Sequence, residues 1–233
     1  MQAVAWTFTL MREVTAADEW CIEAYLNPDY RKITEKLYFE YAQRYLAFRF
    51  LKNLLNFSVD TTLPAPAEGK IKLVLLSDLF FIKNGLASSH VKILDEAADE
   101  FFFRYLRPSK TYEGSIDGFV DSRLVDKKYI FPPETIYVST DGQGSHTHSY
   151  VSSFDLIPNS NVAVLIPKRN MSVQEKLFYS ICITLNRYRY SYGRKPKGDR
   201  LAKMLVPEFP SALVYKDVFL EILNRWKASI KVK

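Results

Sequence analysis

Three groups of residues in this sequence have the types and spacing for chemistry. His146-Thr147-His148 sets two imidazoles two positions apart, which on a strand would share one side and, with Asp141, could hold a metal. Two polar loop histidines are the plainer reading. Asp60, Glu68 and Lys70 have the order of a metal-dependent nuclease triad, in which carboxylates hold Mg²⁺ and a lysine aids the attacking water. Such a triad needs a rigid strand pair, and these three lie in VDTTLPAPAEGK, where Pro64, Pro66 and Gly69 break regular structure. The third group, NRYRYSYGRKPKGDRL, interleaves Arg187, Arg189, Arg194, Lys195, Lys197 and Arg200 with Tyr188, Tyr190 and Tyr192. Basic groups neutralise phosphates, and tyrosines stack or hydrogen-bond. Gly193 allows a close backbone approach or a left-handed turn.

Charge supports the third group. From Lys168 to Lys233 there are 15 Lys and Arg against 5 Asp and Glu, leaving 17 against 21 in the 167 residues before. A basic end on a mildly acidic body suggests a face for a polyanion. Glycine-rich nucleotide loops, the GxSxG elbow, HExxH and the N/D-P-P-Y/F motif of amino-methyltransferases are all missing, so a self-sufficient enzyme is not expected. No cofactor and no resident metal are expected. Cys21 and Cys182 stand too far apart for a disulfide framework, and the first residues lack a basic leader, which together suggest a reduced, cytoplasmic setting. No apolar run approaches the ~20 residues of a membrane span.

The elements that must position these groups form an α+β pattern. Residues 15–57 read as helical. Thr15 serves as a cap, and Asn27-Pro28 separates two helices. Ile33, Leu37, Tyr38, Tyr41, Tyr45, Phe48 and Leu51 recur at helical spacing. This organises the chain as a helical segment over 1–58, a linker over 59–70 and a β-rich domain over 71–233. Strands are expected at Ile71–Leu76, Phe101–Leu106, Gly118–Val120, Tyr129–Phe131, Thr135–Ser139 and Val162–Ile166. A helix-like SDLF and an exposed IKNG turn should follow the first of them. Ser172 with Glu175 is a capping box opening a buried helix, and Val218–Trp226 is a short C-terminal helix.

The motifs resemble the target recognition domains of type I restriction–modification specificity subunits and of related type IIB and IIG systems. TIYVSTDGQGSHTHSYVSSFDLIPNSNVAVLIPK is similar to their strand, glycine-bearing loop and strand passage, and LSDLFFIKNG is similar to their usual opening. The helix followed by the box N-x-Y-x-Y-S-Y-G-R, ending at Arg194, and a closing L…V-P strand complete the order, over about residues 70–210.

The resemblance implies a twisted β-structure that binds double-stranded DNA without catalysis and directs a partner adenine methyltransferase, and through it a nuclease. The residues agree with it: Arg187, Arg189, Arg194, Lys195, Lys197 and Arg200 suit phosphates, and Tyr190, Ser191 and Tyr192 are DNA-binding candidates in the same segment. The loop side chains Thr140, Asp141, Gln143, Ser145, His146 and His148 are polar and suit base edges. Type I subunits usually carry two such domains, and one is visible here. A homodimer touching through the Tyr38, Tyr41 and Tyr45 face is therefore one arrangement, and a monomer docked on a methyltransferase is the other. The rival readings are an interaction or scaffold protein that keeps the fold without base readout, and a Mg²⁺-dependent nuclease using Asp60, Glu68 and Lys70.

Overall fold

The run VAVLIP becomes the spine of the molecule in the computed structural model, which describes residues 28–30, 33, 35–50, 72–142 and 144–209. As strand β8 (Val162–Pro167) it lies between β2 (Phe80–Asn84) and β5 (Ile136–Ser139), with β6 (Ser149–Val151) beyond β5. All pairings in this sheet are antiparallel, with Ile82 and Ile136 both registering on Leu165. Val162 to Leu165 and all of β5 are buried, which is why both read as continuous apolar runs rather than alternating ones.

A second sheet sets β3 (Phe102–Leu106) between antiparallel β4 (Ile116–Asp121) and parallel β7 (Leu156–Pro158). At the junction, Leu86 N–H donates to the Pro158 carbonyl at 2.8 Å. The neighbouring Gly85 has no room for a side chain, since a Cβ there would lie 2.1 Å from the Pro158 oxygen and 2.2 Å from that of Asn159. A small pair, β1 (Leu73–Leu75) with β9 (Leu205–Pro207), closes the fold and includes the expected closing strand. The helix-like SDLF is α2 (Leu76–Leu79).

Helix α3 (Val173–Leu185) packs on β5, β6 and β9, and its residues Leu177 to Ile183 are all buried. Ser172 Oγ accepts the Glu175 N–H at 3.1 Å, as half of the expected capping box. The other half is replaced: the Glu175 carboxylate instead holds the Arg169 guanidinium through both oxygens. Ser172→Ala should therefore cost about 1 kcal/mol, seen as a lower urea midpoint with an unchanged slope.

Two expectations are corrected. The IKNG turn is strand, because Phe80 and Ile82 point inward while Phe81 and Lys83 point out. Tyr129–Phe131 is not a strand. Asp126 caps a 3₁₀ turn over Lys127–Tyr129 by accepting the Lys128 N–H, and Pro132 and Pro133 end any ladder after the single bridge from Phe131 to Leu156.

Helix α1 (Glu35–Phe50) turns its tyrosine face onto this same core. Tyr38 donates to the Gln174 carbonyl at 2.9 Å, and Tyr41 stacks on Tyr150 at 5.8 Å. Tyr38, Tyr41 and Tyr45 are buried among the residues of α3 and the four-stranded sheet, so they are not a free surface for a second copy. The linker over 59–70, the Thr15 cap, Cys21, the triad Asp60, Glu68 and Lys70, and the helix Val218–Trp226 lie outside the described residues. No described helix is long and apolar enough to cross a membrane.

Candidate functional site

After Leu185 the α3 backbone tightens into a 3₁₀ turn, Asn186–Arg189, instead of continuing as α-helix to Tyr190. Asn186 is fully buried and anchors the turn. Its Nδ2 donates to the Cys182 carbonyl at 2.9 Å and to the Tyr30 hydroxyl at 3.0 Å. Ser191 and Arg194 then close a tight turn by exchanging backbone bonds of 3.0 and 3.2 Å, with Tyr192 and Gly193 at its tip. Gly193 does not adopt a left-handed conformation and faces open space. The positive φ of this segment belongs to Gly198, at 58°.

The bracing divides the basic segment into two roles. Arg194 donates to the Arg189 carbonyl and lies over the Tyr190 ring at 5.4 Å. Arg189 donates to Asn186 Oδ1 at 3.1 Å, and Tyr190 is buried with its hydroxyl on the Arg200 carbonyl. These three residues hold the segment in shape. Arg187, Ser191, Lys197 and Arg200 are exposed, as are Tyr188 at 43% and Tyr192 at 78%. Lys197 donates to the Ser160 carbonyl at 3.2 Å.

Lys195 ties this segment to the loop between β5 and β6, its Nζ lying 2.6 Å from Asp141 Oδ2 and 4.9 Å from the Tyr192 ring centre. The hydrogen bond from Lys195 holds the Asp141 carboxyl below the usual carboxylate range. Being lowered, this group lends stability above its unfolded pKa of about 3.9, and that stability is lost as pH falls through the folded value. A carboxyl NMR titration should show Asp141 with a low midpoint that returns toward the ordinary value in Lys195→Ala.

The loop itself is folded inward, contrary to the expectation for its side chains. Gly142 and Gly144 take φ of 89° and 75°, and even β-branched Thr147 takes 62°. The chain therefore doubles back. Ser145 Oγ donates to the Asp141 carbonyl at 2.8 Å, and Thr147 N–H donates to the Ser139 carbonyl at 2.8 Å. Thr140, Ser145 and His146 are buried in consequence and present no side chain to an outside base edge. Asp141 is half-buried and engaged by Lys195, and Gly144 is the exposed tip. Gln143 lies outside the described residues. Among the described residues no three His, Cys, Asp or Glu side chains gather as a metal site.

His148 is half-buried, and its Nε2 is shielded with no hydrogen-bond partner among the described residues. Burial first, then Arg187, Lys110 and Arg44, hold its imidazole below the ordinary histidine range. Burial likewise lowers His146, opposed by Asp141. Both are therefore neutral near pH 7. Their contribution to stability is full above an unfolded value of about 6.5 and is lost as pH falls from there through the folded values.

Arg44 and Lys110 belong to no motif that marks them as site residues. Lys110 sits in the turn after β3, 2.8 Å (Cε) and 2.9 Å (Nζ) from where a Gly144 Cβ would stand, and Arg44 lies over the Tyr41 ring at 5.7 Å. Only the exposed position of Arg44 beside buried Tyr41 and Tyr45 on the helix repeat hints that it is free to face a ligand.

No family model matches the chain, and no curated protein does. Among solved structures it is similar to a type I restriction–modification system S subunit from M. genitalium, with 16% identity and a TM-score of 0.49, covering 87% of this chain and 51% of that one. It is also similar to an HsdS subunit from Thermoanaerobacter tengcongensis, with 14% identity and a TM-score of 0.47, covering 86% of this chain and 46% of that one. A third structure concerns assembly and conformational transition of the type I R-M system, with 13% identity and a TM-score of 0.43, covering 87% and 49%. The chain thus spans about half the length of the chains it matches.

Proposed function

We propose that this chain is a non-catalytic, sequence-specific DNA-binding subunit of a restriction–modification system, which directs a partner DNA adenine methyltransferase to its site. The observation that carries this reading is the braced segment Asn186–Arg200, which turns Arg187, Lys197 and Arg200 outward beside the exposed rings of Tyr188 and Tyr192. In this reading the cations set the register on phosphates, and base edges fall to the polar 139–149 loop, in which Gln143 is the candidate the sequence supplies. The resemblance to specificity-subunit motifs, which takes in this same segment, supplies the restriction–modification context. No step of chemistry falls to this chain in the proposal. A second recognition unit, from another copy or from the methyltransferase complex, supplies the rest of the site, because one small module reads too few base pairs to single out a genomic target.

The test is binding of the full chain to random duplexes across a salt series. Affinity should fall steeply, with a slope of about −0.9 for each phosphate contact. Affinity that is indifferent to salt, or binding absent at low salt, would remove the reading. A second reading, an interaction protein without base readout, draws on Leu124, 82% exposed, in a groove also lined by Val91, Leu94 and Val120. It predicts no duplex binding at any salt concentration.

A further inference from the structure

Three cations from separate elements act on the half-buried His148. Arg44 comes from α1, Lys110 from the turn after β3, and Arg187 from the 3₁₀ turn after α3. Their placement is built rather than incidental. The Tyr150 hydroxyl bonds the Lys110 carbonyl, Tyr150 stacks on Tyr41, and the Arg44 guanidinium lies over Tyr41. Lys110 also lies against Gly144, at the tip of the loop that carries His148. All three cations are exposed, and among the described residues the charges that act on His148 are positive. The acids of this neighbourhood act elsewhere, Glu113 on Tyr150 and Glu40 on Tyr41.

Like charges that act on one point repel one another, and an anion among them relieves that repulsion. Arg187 also begins the outward basic segment, so the cluster continues that surface across the loop to α1. Resting on the DNA-binding reading above, we propose that Arg44, Lys110 and Arg187 form a second clamp for a backbone phosphate of duplex DNA, with His148 taking up a proton from solvent as the phosphate binds. The phosphate offsets the cationic field, which adds to burial in holding the imidazole neutral. Binding of DNA and binding of one proton are thereby coupled, and coupling is reciprocal. The clamp also gives α1 a part in the interface, which no motif assigned to it.

The experiment measures affinity of the full chain for a duplex against salt at fixed pH, and against pH from 8 to 5.5 at fixed salt. Arg44→Ala and Lys110→Ala should each weaken binding to all sequences and lower the salt slope by about one. Arg44→Lys and Lys110→Arg, which keep the charge, should restore the slope and show that the fold is intact. Wild-type affinity should rise as pH falls, by at most about tenfold per pH unit for one proton, and His148→Gln should flatten that rise. Inorganic phosphate at fixed ionic strength should compete no better than chloride, and displacement of the duplex by it would mark a free-anion pocket and overturn the clamp. Wild-type slopes retained in the alanine variants, or an unchanged pH dependence in His148→Gln, would overturn the clamp while leaving DNA binding standing. Absence of any duplex binding by the wild type would sink both.

Discussion

Exchanging Arg187, Lys197 and Arg200 together for alanine should lower duplex affinity for every sequence alike. The salt slope should fall by about three, at about −0.9 per phosphate contact, and the same relation puts the loss at about 100-fold in 0.15 M salt. Placement is the reason. All three side chains are exposed, on a segment whose shape is kept by other residues, Asn186 under the turn and Arg194 on the Arg189 carbonyl. Removing them leaves those braces in place, so stability should change by no more than about 0.5 kcal/mol for each site exchanged. Arg194→Ala has a different expected signature. It removes a brace, so it should lower stability as well as affinity. Comparison of the melting curves of the two variants separates a contact from a support.

The second large effect is on the fold. Leu165 is fully buried at the middle of the four-stranded sheet, opposite Ile82 on one side and Ile136 on the other. Leu165→Ala leaves a cavity between two strands that cannot close over it, at a cost of about 2–5 kcal/mol. Against a total of ~5–15 kcal/mol for a domain, that is a large share. The melting temperature should drop by roughly 4–20 °C for a chain of this size. Leu124→Ala is the control. At 82% exposure it has little burial to lose, and it should shift stability by no more than about 0.5 kcal/mol either way. A loss at Leu124 comparable to that at Leu165 would contradict a sheet with β8 at its centre.

How much of the fold is legible in the sequence depends on how local each cause is. The α3 helix is legible because its cap, Ser172, and its apolar run are both sequence-near signals. Strand β8 is legible because five apolar residues run between polar breakers. Strand β2 is not, because Lys83 and Asn84 look like turn residues until β8 pairs with them. The three-residue strands β6 and β7 are too short to show any period, and their neighbours across the sheets define them.

The site divides in the same way. That NRYRYSYGRKPKGDRL is basic and aromatic is composition, and it reads directly. Which of its cations face outward is not local. Lys195 is claimed by Asp141, 54 residues away in the chain, and Arg194 is turned inward by the Arg189 carbonyl. The 139–149 loop is legible as polar and glycine-bearing. Its inward fold is not, because Ser149 is fastened at both ends to α3: its N–H donates to Thr184 Oγ1 at 3.1 Å, and its carbonyl accepts from Ser180 Oγ at 2.7 Å. Thr140, Ser145 and His146 are buried in that loop, and Gly144 is its exposed tip. Arg44 and Lys110 show the converse case, residues with no motif that tertiary folding brings to one place.

Whether this chain reads DNA sequence is decided by repeated selection of duplexes from a fully randomised pool by the full chain. Wild-type protein should enrich a short defined motif, and the Arg187, Lys197 and Arg200 triple variant should recover no pool at the same salt. A wild-type pool that stays as random as the starting library after successive rounds at moderate salt would contradict sequence reading by this chain.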